Sequence, residues 1–295
     1  MNVATSLNVG FDYNYKVSVR KQLEQVYNAG FRYIDINFSD WSMNEKSPFV
    51  GKDWESWVNE IRRFGEDYGI TYHQAHAPIY NIFSTDENTK FLDKMTLRSI
   101  ISAGMLNIPW IVIHAGHTVG NYDAVHIADM KQKNIDWFSY AVKEAENSKT
   151  GIALENMADA FGRNGHYCSN TDDLIELIDS FDPKYVGACW DTGHAHINGY
   201  NQYEHIIKFG KRLKVLHIQD GDGKRDLHTA PFYGTIDWKS VRKALHDIDY
   251  DGSPYYGKFT FEAHNLVRLL PIPCQDEALK LLYKIGNYIA NEMIY

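Results

Sequence analysis

Short β-rich runs alternate with longer amphipathic segments from one end of this 295-residue chain to the other, and no Ser/Gly/Pro linker or charge block interrupts them. The runs lie near residues 4–9, 32–37, 71–76, 110–115, 151–155, 185–190, 213–218 and 257–262. Ile111-Val112-Ile113 and Val215-Leu216-His217-Ile218 are nearly all apolar, as parallel strands covered on both faces must be. The cover comes from segments such as Ser18 to Asn28, Trp54 to Tyr68, Lys90 to Leu106 and Gln275 to Asn291, whose apolar residues recur at helical spacing. Eight strand–helix units predict an α/β fold, a closed (β/α)8 TIM barrel, with residues 1–295 as a single domain. A doubly wound open sheet is the structural alternative. It would collect its polar residues at one switch-point crevice, whereas here they recur at the end of nearly every later strand.

Composition narrows the partners. Hydrophobic residues at 44% and charged residues at 23% are enough to build a large core with a soluble surface. A formal charge of −8 argues against a surface built mainly to grip phosphate backbones, although a local basic groove is compatible with it. Met1-Asn2-Val3-Ala4-Thr5-Ser6-Leu7 lacks the basic and apolar regions of a signal peptide, and no apolar run reaches membrane-spanning length. The expectation is a cytoplasmic protein without a membrane partner; a homo-oligomer is compatible with the sequence. Cys168, Cys189 and Cys274 show no Cys-x-x-Cys spacing and read as reduced thiols.

Six consecutive strand ends each carry a residue able to bind metal: His76, His114, Glu155, Asp191, His217 and Glu262. Taken singly, each could cap a helix or bond a loop; Trp190-Asp191-Thr192-Gly193-His194-Ala195-His196 could be an ordinary turn into the next helix. In a barrel, however, these ends converge on one mouth. Several buried carboxylates and imidazoles there would be costly without a divalent cation. Glu155, Asp191, His217 and Glu262 form the core set, and three carboxylates with one imidazole suit Mn²⁺, Mg²⁺, Co²⁺ or Zn²⁺.

Leu154-Glu155-Asn156, Trp190-Asp191-Thr192-Gly193-His194-Ala195 and His217-Ile218-Gln219-Asp220-Gly221-Asp222-Gly223 resemble motifs of the xylose isomerase-like TIM barrel superfamily. Asp226-Leu227-His228 and Gly234-Thr235-Ile236-Asp237-Trp238 are similar to its sugar phosphate isomerase/epimerase branch. The resemblance implies one divalent ion on the same four residues. It implies that Glu155 and Glu262 exchange a proton next to a substrate carbonyl through an enediolate, while His194 steadies the developing oxyanion. It also implies a substrate-holding arginine beyond His217, for which Arg225 is the choice. Trp41 and Phe232, aromatic residues near strand ends or loops, are assigned to the sugar pocket; Gly116-His117 and His264 lie where they could reach the mouth.

The expected substrate is a small ketose, a polyol-derived ketone or a sugar phosphate. The same superfamily includes endonuclease IV, which cuts DNA at abasic sites with three zinc ions, and this chain carries counterparts of all its ligands. His76, His114 and Glu155 would hold one ion, Glu155, Asp191, His217 and Glu262 the next, and His194, Asp226 and His228 the third. Ligands alone leave phosphodiester hydrolysis open, so nucleic acid stays a rival partner and a second or third ion a possible addition. Against it stands the absence of recognisable basic loops that would enter a groove. Dehydration of a keto-inositol and a non-catalytic sugar-binding barrel are further alternatives.

Overall fold

The computed structural model describes residues 1–10, 17–43, 45–118, 123–159, 166–250 and 257–294. Eight strands run in chain order: β1 (Asn2–Ser6), β2 (Tyr33–Asn37), β3 (Thr71–His76), β4 (Trp110–Ile113), β5 (Gly151–Glu155), β6 (Val186–Asp191), β7 (Leu213–His217) and β8 (Lys258–Phe261). Each pairs in parallel with its neighbours in the order β7-β6-β5-β4-β3-β2-β1-β8. A parallel bridge between Ile218 and Phe261 joins the two ends of that sheet, with the Ile218 N–H donating to Thr260 O at 2.8 Å and the Glu262 N–H to Ile218 O at 3.0 Å. The strands therefore form a near-closed α/β barrel, as the alternation predicts, and the open-sheet alternative is not what the chain builds.

The helices are α1 (Val19–Asn28), α2 (Phe38–Trp41), α3 (Trp54–Tyr68), α4 (Glu87–Met105), α5 (Ala124–Ser148), α6 (Thr171–Ile178), α7 (Thr192–Ile197), α8 (Gln202–Phe209), α9 (Trp238–Asp247), α10 (Asn265–Arg268) and α11 (Ile272–Asn287). Helix starts follow local chemistry: the side chains of Ser18, Asp86, Asp123, Asn170, Asn201 and Asp237 each accept a backbone N–H from the first turn they precede. Among the described residues, no helix is long and apolar enough to cross a membrane.

Element boundaries differ from the sequence expectation where apolar residues mislead. The first strand stops at Ser6, and Leu7–Gly10 winds into a 3₁₀ turn; Leu7 and Val9 look like strand residues because both are core contacts. The fourth helix begins three residues before Lys90 because Asp86 supplies the cap. The last ends at Asn287 and passes into a π turn over Tyr288–Glu292.

The pleat sets what faces the lumen. Trp110, Val112, Ala153, Cys189 and Val215 pack as a separate buried cluster. Side chains two positions apart on a strand share a face. The next step beyond Val112, Ala153, Cys189 and Val215 is therefore His114, Glu155, Asp191 and His217. An apolar layer supports a polar one at the C-terminal mouth, where barrels place their chemistry.

Candidate metal centre and cavity

Glu155, Asp191, His217 and Glu262 each offer a ligand atom such that all four lie within 4.8 Å of one another. All four residues are buried, Asp191 and His217 completely. His217 Nδ1 lies 3.0 Å from Glu155 Oε1 and 3.4 Å from Glu262 Oε2, yet neither of its ring nitrogens makes a hydrogen bond. Three buried carboxylates around an imidazole without bonded partners are a donor set short of positive charge. A divalent cation fits it, and this carboxylate-rich chemistry suits a hard to borderline ion.

The remaining sequence-selected ligands surround that core. His76 Nε2 and His114 Nε2 approach Glu155 Oε2 at 3.5 and 3.0 Å, and the three residues form a second cluster within the same 4.8 Å limit. On the opposite side, His194 Nε2 and His228 Nε2 approach Asp226 Oδ2 at 3.5 and 2.9 Å. These rings are oriented by the backbone: Nδ1 of His76 lies 2.7 Å from Ala77 O, Nδ1 of His194 lies 2.9 Å from Asn156 O, and Nδ1 of His228 lies 3.0 Å from Glu262 O. A carbonyl can only accept, so each Nδ1 carries hydrogen and each Nε2 is left to face a carboxylate. Metal-binding histidines are commonly fixed in this way.

Charge in the cluster is strongly interdependent. Burial pushes the Asp191 carboxyl up to about 6 against the pull of His194. Burial acts on Glu155 in the same sense, but His217, His114 and His194 outweigh it and hold its carboxyl well below the ordinary range. Burial works against imidazolium at His228, yet Asp226, Glu262 and Asp191 raise that ring to about 9. Ring protons thus supply the positive charge that the carboxylates require.

Asp191 also shows that two sequence readings coexist. It ends β6, and its Oδ1 accepts the His194 N–H at 2.7 Å, capping α7. The same carboxylate belongs to the four-residue cluster.

A loop over residues 221–237 carries Asp226 and His228. Asp220 anchors it by accepting N–H groups from Gly221, Phe232 and Ile236 and the Trp238 indole, at 2.8–3.2 Å. Gln219 ties the loop to the cluster: its Nε2 donates to Asp191 and Asp226, and its Oε1 accepts the His228 N–H at 2.9 Å. His228 sits at φ 44°, a left-handed conformation that a non-glycine residue keeps only when its surroundings impose it. Gly234 is required here: an added Cβ would lie 2.2 Å from both Asp220 Oδ1 and Gly221 O. We expect Gly234→Ala to lose about 1–3 kcal/mol, the usual cost of overpacking. Urea unfolding measures it, and a variant as stable as the parent would contradict this account of the loop.

Above the cluster lies a cavity of about 370 Å³. Glu155, Glu262, His76, His114, His194 and His228 line its inner part, with Ile79, Tyr80 and Met157 as its less polar wall. The volume falls within the roughly 300–1,000 Å³ of small-molecule sites. Among the described residues no Lys or Arg lines it. His117 and His166 do line it, their ring centroids 3.8 Å apart. Of these, only His117 has a sequence signal, its place just beyond β4. Asn81, which grips the His117 backbone by N–H and carbonyl contacts of 3.2 and 2.8 Å, has none.

Three residues assigned to substrate lie elsewhere. Arg225 pairs with Asp222, its Nε and Nη2 both donating to Oδ2 at 3.1 and 2.9 Å, with its side chain 73% exposed. Trp41 is buried in the core with its ring 4.9 Å from Trp57. Phe232, 53% exposed, leans toward Tyr288 with ring centroids 6.2 Å apart. None of the three is among the cavity's lining residues. A loop arginine finds its nearest counter-charge, and aromatics near strand ends serve packing first.

Comparison with known proteins places this arrangement in context. A family model described as xylose isomerase-like TIM barrel matches residues 23–256. A probable endonuclease 4 from Mycoplasma mycoides subsp. mycoides SC is 30% identical over 227 residues, covering 68% of this chain and 75% of that protein. Among solved structures, a D-tagatose 3-epimerase-like protein superposes with a TM-score of 0.73 at 20% identity, covering 98% of both chains. D-psicose 3-epimerase from Clostridium cellulolyticum H10 gives a TM-score of 0.74 at 16% identity, covering 98% of this chain and 99% of that one. At such identities the structural likeness establishes the fold.

Proposed function

The chain belongs to the xylose isomerase-like TIM barrel family, and we propose that it is a divalent-metal-dependent isomerase or epimerase of a small ketose, a polyol-derived ketone or a sugar phosphate. The observation that carries this reading is the pair Glu155 and Glu262. They flank one histidine nitrogen and open together onto a cavity whose volume suits a small molecule. The ketose epimerases that share the fold support the same substrate class.

Glu155, Asp191, His217 and Glu262 would hold the cation, Mn²⁺, Co²⁺, Mg²⁺ or Zn²⁺, which when bound polarises oxygens next to the reacting carbon. One glutamate accepts the proton from the carbon beside the carbonyl, and the C–H electron pair moves into the enediolate. The other glutamate returns a proton to complete the exchange. His194, with its Nε2 facing the cavity side of the cluster, steadies the oxygen on which charge develops.

Incubating the purified protein with a panel of ketoses and each of these metals tests the reading. The expected result is a C3 epimer, or the matching aldose, seen by NMR; no conversion of any panel member with any of the four metals would overturn it.

A second reading has its own support. His76, His114, His194, Asp226 and His228 surround the four-residue core in two further groups, and sequence relatives bear the name probable endonuclease 4. Such a centre would take two or three ions and cleave phosphodiesters. On the sugar reading, a duplex with one abasic site stays intact on a denaturing gel with Zn²⁺, Mn²⁺ or Mg²⁺. Strand cleavage lost in His228→Ala would establish the rival.

A further inference from the structure

Below the mouth, a polar group spans the barrel lumen that the chemistry above does not use. Asp35 on β2 is 1% exposed, and its Oδ2 lies 3.7 Å from Nε2 of His217, across the barrel on β7. Gln74 on β3 holds that carboxylate in place: its Nε2 donates to Asp35 Oδ2 at 3.0 Å and to the carbonyl of Leu216, the residue before His217, at 3.3 Å. Asp35 Oδ1 has no hydrogen-bond partner, and neither does either nitrogen of the His217 ring.

A carboxylate kept merely for packing would not remain buried with a single amide donor, because stranded buried acceptors are costly. The ring it faces has two distinct ends. Nδ1 looks toward Glu155 and Glu262, and Nε2 looks toward Asp35. A histidine that binds metal through one nitrogen must carry its hydrogen on the other, and the partner of that second nitrogen fixes tautomer and orientation.

We propose that Asp35 is a positioning residue of the cation centre, accepting the Nε2–H of His217 so that Nδ1 is the nitrogen presented to the ion. A relative shift of about 0.5–1 Å closes the 3.7 Å gap to hydrogen-bond length. Gln74 supports the carboxylate from the other side, so the unit runs from β3 through β2 to β7. The inference rests on the four-residue cation centre and is independent of which substrate the cavity takes.

The test is Zn²⁺ affinity by competition with a chelating dye, on the full-length protein and on Asp35→Ala and Asp35→Asn. Loss of such a partner typically costs about 10–100-fold in metal affinity. Asp35→Ala is expected in that range, with Asp35→Asn less affected because the amide oxygen can still accept. In long-range ¹H–¹⁵N NMR of the Zn²⁺-loaded parent, His217 should show hydrogen on Nε2, and the Asp35→Ala spectrum should lose that single protected form. A structural role alone would not move this signal. If Asp35→Ala does not fold, Asp35→Asn decides. Parent-like affinity and an unchanged His217 signal in the folded variants would overturn the positioning role while leaving the centre intact. A parent protein that binds no Zn²⁺ would overturn the centre itself, and the positioning role with it.

Discussion

Glu155→Gln and Glu262→Gln are each expected to lower turnover by about 100- to 10,000-fold, the range over which a positioned acid or base accelerates proton transfer. The amide is nearly isosteric, so the barrel and cavity persist, but it cannot take up the proton. The two variants should not be identical. Glu155 stands among His114, His194 and His217, all close to its carboxylate oxygens, so its loss also leaves those rings short of an acceptor. Glu262 is the outer member, 6% exposed, and lies near His217 and His228. Glu155→Gln should therefore weaken metal binding more than Glu262→Gln, while both abolish proton exchange. Steady-state kinetics with metal titration separates the two effects. Turnover within a factor of a few of the parent in either variant would remove that glutamate from the proton path.

Chelation should lower the thermal midpoint by several degrees, and the loss should grow with pH. A ligand that binds only the folded chain at 100 times its dissociation constant contributes about 2.7 kcal/mol. For a domain of this size that corresponds to roughly 4–5 °C. The pH dependence follows from the imidazoles. His228 is raised from 6.5 to about 9, and His194 and His217 are also raised, so each binds its proton more tightly in the fold than in the unfolded chain. Their stabilisation is complete below about 6.5 and is lost as pH rises through the folded values. Glu155 and Asp226 are shifted the other way; both are ionised in the folded and unfolded chain across this window and add no slope. His166 and His264, lowered to about 4, change stability only below 6.5. The chelated protein should therefore lose midpoint between pH 6.5 and 9, whereas the loaded protein, whose ion takes the place of the His217 proton and by its charge weakens proton binding at His194 and His228, should lose less. Differential scanning fluorimetry at the two pH values checks this. Equal slopes with and without chelator would contradict it.

What the sequence discloses about this site follows from where the residues sit on their strands. Glu155, Asp191 and His217 can be read in advance because each ends a strand and faces inward two residues past an apolar lumen residue. The barrel is legible for the same reason, in that eight short runs cannot bury both faces unless the helices between them cover the sheet. Asp35 and Gln74 carry no such signal. They sit mid-strand, and their significance lies in a cross-lumen distance that no spacing encodes. Gln219 and Asp220 lie inside a recognised motif, but their work is to hold a loop by its backbone N–H groups, which depends on how that loop folds back. Arg225, Trp41 and Phe232 illustrate the opposite case. Their residue types suit a sugar pocket, yet a neighbouring carboxylate and neighbouring rings are closer than the cavity.

The most direct test of the account is reaction of the metal-loaded protein in D₂O with its best ketose from the panel, followed by mass spectrometry and NMR of the recovered sugar. Proton exchange between Glu155, Glu262 and the carbon beside the carbonyl predicts one solvent-derived deuterium at that carbon, in product and in returned substrate, and none after chelation. Conversion without any deuterium at that position, or deuterium uptake undiminished by chelation, would contradict a metal-dependent proton transfer at this site.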